Sequence, residues 1–316
     1  MILKACAVNL VTPFTDTNEI DFSVLEKIID KHLDSGVSAI VLGRSTGEFQ
    51  TMNDDEIISI LDFTLKKVNK KVPVLIQTGF NDMTRSVTLS IRAKMSGADA
   101  LILSAPYYNK TNSHGLLNHF KSIMMAVAMP CFIENDPDRC GYDIPIDVIV
   151  SLSELGNLSG VIESSQDINR FGKLRSSLPA DVSIISGLDK MVIPALSLGA
   201  NGYISVLANI WNEEAVEIFD SFNSGEISKA RELFYFMYPI MELMELEPNP
   251  IAIKTTMNML GYEIGEFRLP LAPMDPDKAA KVVNLLMDMS IISVKSLIIL
   301  RNWKPTQDIL CRFIFI

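Results

Sequence analysis

One hydrophobic rhythm recurs along the chain: an amphipathic helical stretch, a glycine, then a short run that is apolar at nearly every position. Phe22–Ser35 leads through Gly36 into Ala39-Ile40-Val41-Leu42, and Met95-Ser96-Gly97 precedes Ala100-Leu101-Ile102-Leu103. Leu155-Gly156 precedes Leu158–Ile162, and Leu198-Gly199 precedes Gly202–Val206. A glycine just past a helix takes the left-handed position without steric cost, so the chain turns straight into a strand. Four more apolar runs, Ala5–Leu10, Val72–Gln77, Cys131–Ile133 and Val182–Ser186, complete a set of eight. None alternates polar with apolar residues, as expected of strands covered on both faces in a parallel sheet. Asp21/Ser23 with Glu26, and Asn53 with Glu56, are capping-type pairs that mark helix starts. About eight βα units in series predict an α/β fold of the closed (β/α)₈ or TIM barrel type rather than an open doubly wound sheet. The lack of a Gly-x-Gly-x-x-Gly after the first strand argues against a dinucleotide site.

Helical patterns continue past the last strand at Trp211–Phe222, Ile227–Leu246, Ile251–Leu260 and Pro276–Met289. They exceed what barrel closure needs and predict a C-terminal helical extension. The expected division is a barrel core over 1–210, closing and C-terminal helices over 211–290, and an apolar tail over 291–316. Ile291–Leu300 and Cys311–Ile316 are apolar without a clean helical period. They are either a packing or oligomer segment or non-native residues.

Composition narrows the function classes. With 28 Lys+Arg against 38 Asp+Glu the net charge is -10, which disfavours nucleic acid and anionic lipid as partners. No apolar stretch is long enough to span a membrane, since Lys295 breaks Met289–Leu300. Leu3-Lys4-Ala5-Cys6 loosely resembles a lipoprotein cleavage site, but the apolar run before it is too short for a signal peptide. The four cysteines, Cys6, Cys131, Cys140 and Cys311, show no close metal or redox spacing, and Cys6 and Cys131 sit in strand-like runs. A cytoplasmic protein with reduced cysteines is expected. His32, His114 and His119 fall at no strand end, so no metal is expected, nor any other cofactor.

In a barrel of this kind chemistry collects where strands end. After the second strand comes Gly43-Arg44-Ser45-Thr46-Gly47-Glu48, whose hydroxyls and backbone N–H groups suit an anion such as a carboxylate; an ordinary strand-to-helix turn reads the same way. Pro106-Tyr107-Tyr108-Asn109 follows the fourth strand, Glu134-Asn135-Asp136-Pro137-Asp138-Arg139-Cys140-Gly141 the fifth, Gly160-Val161-Ile162-Glu163-Ser164-Ser165 the sixth and Ser186-Gly187-Leu188-Asp189-Lys190 the seventh.

Val11-Thr12-Pro13-Phe14, Ser45-Thr46-Gly47-Glu48, Pro106-Tyr107-Tyr108-Asn109, Asp136-Pro137-Asp138-Arg139-Cys140-Gly141, Ser186-Gly187, Gly202-Tyr203-Ile204-Ser205-Val206 and Glu247-Pro248-Asn249-Pro250 stand in an order and spacing that resembles the dihydrodipicolinate synthase / N-acetylneuraminate lyase family over roughly residues 1–290. The resemblance implies an aldolase-type lyase in which a barrel lysine forms an imine with pyruvate and a tyrosine relays protons. It places Ser45 at the relay hydroxyl, Ser45 and Thr46 at the pyruvate carboxylate, and Tyr108 at a tyrosine donated across a dimer interface. It places Arg139 at the second substrate's carboxylate, with Gly187 and Ile204 at backbone positions lining the pocket. A homodimer or homotetramer is implied.

Two central positions depart from that pattern. Ile162 stands where the imine-forming lysine is expected, and Glu134 where the relay tyrosine is expected. Isoleucine offers no nucleophile. A carboxylate beside a pyruvate carboxylate is like-charge repulsion. The expectation is a relative inactive in Schiff-base chemistry that binds a small carboxylate-bearing molecule. The alternatives are an enzyme using Glu134 as acid or base with Ser45 and Tyr108, or a lyase with a displaced lysine such as Lys190. Glu134 is expected to form an internal ion pair with Arg139 or Lys190.

Overall fold

A computed structural model of the chain describes residues 2–292. Eight strands form a closed barrel in sequence order: β1 Ala5–Asn9, β2 Ala39–Leu42, β3 Val74–Gln77, β4 Ala100–Ser104, β5 Cys131–Asn135, β6 Leu158–Glu163, β7 Ser183–Ser186 and β8 Gly202–Ser205. Every neighbouring pair is parallel, and β1 closes on β8. The uniform apolar runs follow from two separate cores. Residues of one parity (Ala7, Val41, Leu75, Ile102, Phe132, Ile162, Ile185 and Ile204) fill the barrel interior. Those of the other parity, such as Val8, Ile40, Ile76 and Val161, pack beneath the surrounding helices. Side chains that alternate in direction but not in polarity are what double coverage requires.

The capping signals hold in part. Asn53 and Glu56 make the full reciprocal box at the start of helix Asp54–Val68. Asp21 caps helix Phe22–Asp34 through the N–H groups of Ser23 and Val24, while Glu26 pairs with Lys67 instead. Helices Asn212–Asn223, Ile227–Leu243, Ile251–Met259 and Pro276–Asp288 follow the barrel.

Two strands run further than their apolar patterns suggest. Glu134 and Asn135 lie within β5, and Glu163 closes β6. A buried charge is tolerated in a strand only with partners. Glu163 accepts from Arg170 Nε at 2.8 Å, Asn135 Nδ2 at 2.7 Å and the Ser165 N–H at 2.9 Å. The β5–β6 ladder slips between Cys131 and Phe132, which sets Glu134 directly beside Ile162. Gly160 permits this: a Cβ there would stand 2.6 Å from the Phe132 ring.

Cys6, Cys131 and Cys140 are buried and free, and burial pushes the Cys131 thiol up to about 12. No helix of the described residues is long and apolar enough to cross a membrane. Residues 293–316, with most of the apolar tail and Cys311, lie outside the described residues.

Candidate functional site

The barrel's inward parity, continued past its apolar layer, builds the floor of the site. Two residues beyond Ala7, Leu75, Ile102, Phe132, Ile162 and Ile185 stand Asn9, Gln77, Ser104, Glu134, Ser164 and Gly187, all buried. Gly187 leaves room for its neighbours, since a Cβ there would lie 1.9 Å from Ser164 Oγ and 3.1 Å from Ile162 Cγ2.

Glu134, 4% exposed, is held by Arg44, also 4% exposed. Arg44 Nε donates to Glu134 Oε1 at 2.5 Å, and its Nη2 contacts the same oxygen. Arg44 Nη2 also donates to Ser164 Oγ at 3.2 Å, whereas Nη1 has no hydrogen-bond partner. The expected pairing of Glu134 with Arg139 or Lys190 is therefore corrected. Arg44 leaves the end of β2 and enters the mouth. Arg139 instead donates to the Asn249 carbonyl at 2.9 Å, and Lys190 reaches Glu245 at 2.6 Å.

Ser45 and Thr46 form a single 3₁₀ turn, Ser45–Gly47. The Asn249 amide donates to Ser45 Oγ at 3.2 Å and Thr46 Oγ1 at 2.8 Å. A hydroxyl that accepts one bond keeps its own proton to donate. Below the turn, Glu48 adopts a left-handed φ of 56° and its carboxylate meets Lys254 at 2.5 Å, both side chains fully buried. Asp136 caps helix Pro137–Cys140, its Oδ1 accepting the Arg139 N–H at 3.3 Å. Burial, reinforced by the Glu134 charge, pushes the Asp136 carboxyl up to about 6 against the pull of Arg44 and Arg139.

Two cavities open at the mouth. The larger, about 880 Å³, is lined by Arg44, Ser164, Gly187, Asp189 and Lys190 among others. The smaller, about 290 Å³, is lined by Gln77, Ser104, Tyr107, Glu134 and Cys140 among others. Arg44 faces one and Glu134 the other, so the ion pair stands between them. Ser45, Asp136, Arg139 and Asn249 line both.

Of the sequence candidates, Ser45, Arg139, Gly187 and Glu134 thus come together. Thr46 is fully buried behind Asn249, and neither Ile162 nor Ile204, both buried in the barrel interior, lines a cavity. Tyr108 is 95% exposed with a left-handed φ of 67°; its neighbour Tyr107 lines the smaller cavity. Arg44, Asp136, Asn249 and Gln77 were not singled out. Arg44 and Asp136 carried a signal, being charges inside strand-end segments, but their partners could not be read from spacing. Among the described residues no group of three or more His, Cys, Asp or Glu is placed to hold a metal.

The family model of the dihydrodipicolinate synthetase family matches residues 3–289. The chain belongs to that family. Its relatives include the 4-hydroxy-tetrahydrodipicolinate synthase of Caldicellulosiruptor saccharolyticus, 39% identical over 290 residues that cover 92% of this chain and 98% of that one. The 4-hydroxy-tetrahydrodipicolinate synthase of Clostridium tetani is 38% identical over 275 residues, covering 87% of this chain and 93% of that one. Among solved structures, the dihydrodipicolinate synthase from Aquifex aeolicus superposes with a TM-score of 0.89 at 33% identity, covering 91% of this chain and 98% of that one. A structure described as the first monomeric dihydrodipicolinate synthase variant superposes with a TM-score of 0.89 at 29% identity, covering 92% and 98%. In this dihydrodipicolinate synthetase family member the closed barrel carries the Ser45–Gly47 turn and Arg139 at its mouth, and sets Glu134 beside Ile162 on neighbouring strands.

Proposed function

We propose that this barrel binds a small carboxylate-bearing molecule without forming an imine. The observation that carries the reading is the side-by-side placement of Ile162 and Glu134 on β6 and β5, with Glu134 clamped by Arg44. An alkyl side chain sealed in the barrel interior supplies no nucleophile, and a carboxylate tied to a guanidinium does not serve as a free proton relay. A displaced amine is disfavoured too: Lys190 is paired with Glu245, and Lys254 is fully buried against Glu48. What remains of the mouth is a set of donors, from Ser45, Arg44 and Arg139, around a cavity large enough for a small acid. The reading includes assembly as a homodimer or larger, through the surface that carries the exposed Tyr108.

The deciding experiment is incubation with pyruvate and borohydride followed by intact-mass measurement, beside assays of 4-hydroxy-tetrahydrodipicolinate synthase and sialic-acid lyase turnover. No adduct and no turnover above background are expected. A trapped pyruvate adduct, or robust turnover, overturns the proposal.

A further inference from the structure

We propose that the acid bound at the mouth carries an extended apolar tail, which lies along a wall built by the ends of β7 and β8 and by helix Ile227–Leu243 with the residues after it. The inference rests on the proposed carboxylate-binding role and names the rest of the ligand.

The larger cavity is polarised. At the ends of β2 and β5 it is lined by Arg44, Ser45, Asp136, Asp138 and Arg139, where two arginines offset two acids. In the closed order of strands β7 and β8 lie across the barrel from β3 and β4, which β2 and β5 flank. That far side is lined by Leu188, Met191, Val206, Tyr238, Met244 and Leu246, each buried only in part. The charged side chains there are engaged with one another or with their neighbours. Lys190 reaches Glu245 at 2.6 Å and lies 5.6 Å from the centre of the Tyr238 ring, which ties the end of β7 to the helix. Glu247 meets Lys278 at 3.0 Å. Asp189 accepts from Ser205 Oγ at 2.5 Å and from the Val206 and Leu207 N–H groups at 2.9 and 3.3 Å.

A cavity of about 880 Å³ is of the size that encloses a drug-sized molecule. A three-carbon acid held at Ser45 and Arg139 leaves most of that space to water, in contact with the apolar side chains of the far wall. An alkyl tail displaces this water, and each methylene buried there raises affinity about twofold to fourfold, the larger figure for full burial. A polyhydroxylated tail of the same length meets mostly alkyl and thioether groups and loses hydrogen bonds to water. Met191 and Met244 are unbranched and polarisable, so they adapt to chains of different length.

Pyruvate, 2-oxobutanoate, 2-oxohexanoate and 2-oxooctanoate share one head and differ only in the tail. Titration calorimetry on the full chain should show affinity rising about twofold to fourfold per methylene, so that 2-oxooctanoate binds at least about thirtyfold tighter than pyruvate. The heat-capacity change on binding should grow more negative along the series. Met244→Asp sets a charge on the wall and should flatten the rise to less than about 1.5-fold per methylene, whereas Met244→Leu should keep it. Met191→Asp, from the other element of the wall, gives a second reading of the same effect. An affinity independent of tail length overturns the apolar wall, and so does a rise that both aspartate variants leave unchanged. The two readings fail separately. No binding by any of the acids overturns the carboxylate function and the wall with it. A borohydride-trapped pyruvate adduct overturns the non-covalent function, while the tail-length series still decides the wall. Equal binding of all the acids without an adduct overturns the wall alone.

Discussion

Arg44 and Glu134 lie ninety positions apart and meet at the barrel mouth, Nε to Oε1 at 2.5 Å, each side chain almost wholly buried. Their pairing converts a carboxylate that would repel an acidic ligand into part of a neutral wall between two cavities. It also brings a guanidinium into the mouth with one nitrogen still unengaged.

Breaking this pair from one side leaves a buried charge without a counterion. Arg44→Met is expected to destabilise the fold by about 3–5 kcal/mol. The double variant Arg44→Met with Glu134→Leu should regain most of that loss, because an apolar pair of similar volume needs no desolvation of charge. Denaturant unfolding of the two variants beside the wild type measures it. A double variant no more stable than Arg44→Met would mean the cost lies in packing rather than in the orphaned carboxylate.

Asp136 gives a pH signature. Its carboxyl titrates near 6 in the fold against an ordinary 3.8, so the folded state binds its proton more readily than the unfolded chain. Stability from this group is therefore greatest at low pH, falls between about pH 4 and 6, and is at its lowest above that range. Asp136→Asn should be more stable than the wild type above pH 7, by on the order of 1–3 kcal/mol, and the gain should vanish near pH 4. Thermal unfolding across that range checks the sign. A gain independent of pH would place its cause in the helix cap rather than in the charge.

The eight strands could be read because both faces of each are apolar, a property local to each segment. The site could be read only half-way, because its defining contacts are not local. Ser45 lies in a segment that looked suited to an anion, but the amide that orients it comes from Asn249, 204 positions away. Glu134 announced itself as a charge at the end of an apolar run, and its burial followed from that. Its partner did not, since Arg139 and Lys190 were nearer candidates in the strand-end segments and Arg44 sat inside a glycine-rich turn. The same reason explains why β5 and β6 outran their apolar patterns. Compensation of Glu163 by Arg170, seven positions on in the following helix, has no signature in hydrophobic periodicity.

Assembly has a simple test. Tyr108 projects into solvent, and Met95 and Met125 are also exposed, at 82% and 65%. On the proposed reading, a second copy covers this tyrosine. Light scattering at micromolar concentration should give at least twice the chain mass of 35.1 kDa, and Tyr108→Asp should shift the population toward monomer. A monomeric wild type overturns the expectation.

The proposed reading of Ile162 and Glu134 predicts how Schiff-base chemistry is restored. Ile162→Lys alone puts an ammonium into the apolar barrel interior occupied by Phe132, Ile185 and Ile204. That cation is costly to bury unpaired, and an amine held protonated in an ion pair is no nucleophile. Glu134 beside it would be drawn from Arg44 into a new ion pair, and the neutral phenol relay would still be missing. No imine with pyruvate is expected from this single change. Adding Glu134→Tyr removes the acid and supplies a phenol, and trace imine formation should follow, but Arg44 is then left as a buried cation without its partner. Arg44→Ala as a third change removes that charge where the backbone is extended and tolerates any side chain. Intact mass after pyruvate and borohydride should therefore rise in order: no adduct in the wild type or Ile162→Lys, a trace in the double variant, and more in the triple. An adduct in Ile162→Lys as large as in the triple variant would show that Glu134 and Arg44 are no obstacle to the chemistry.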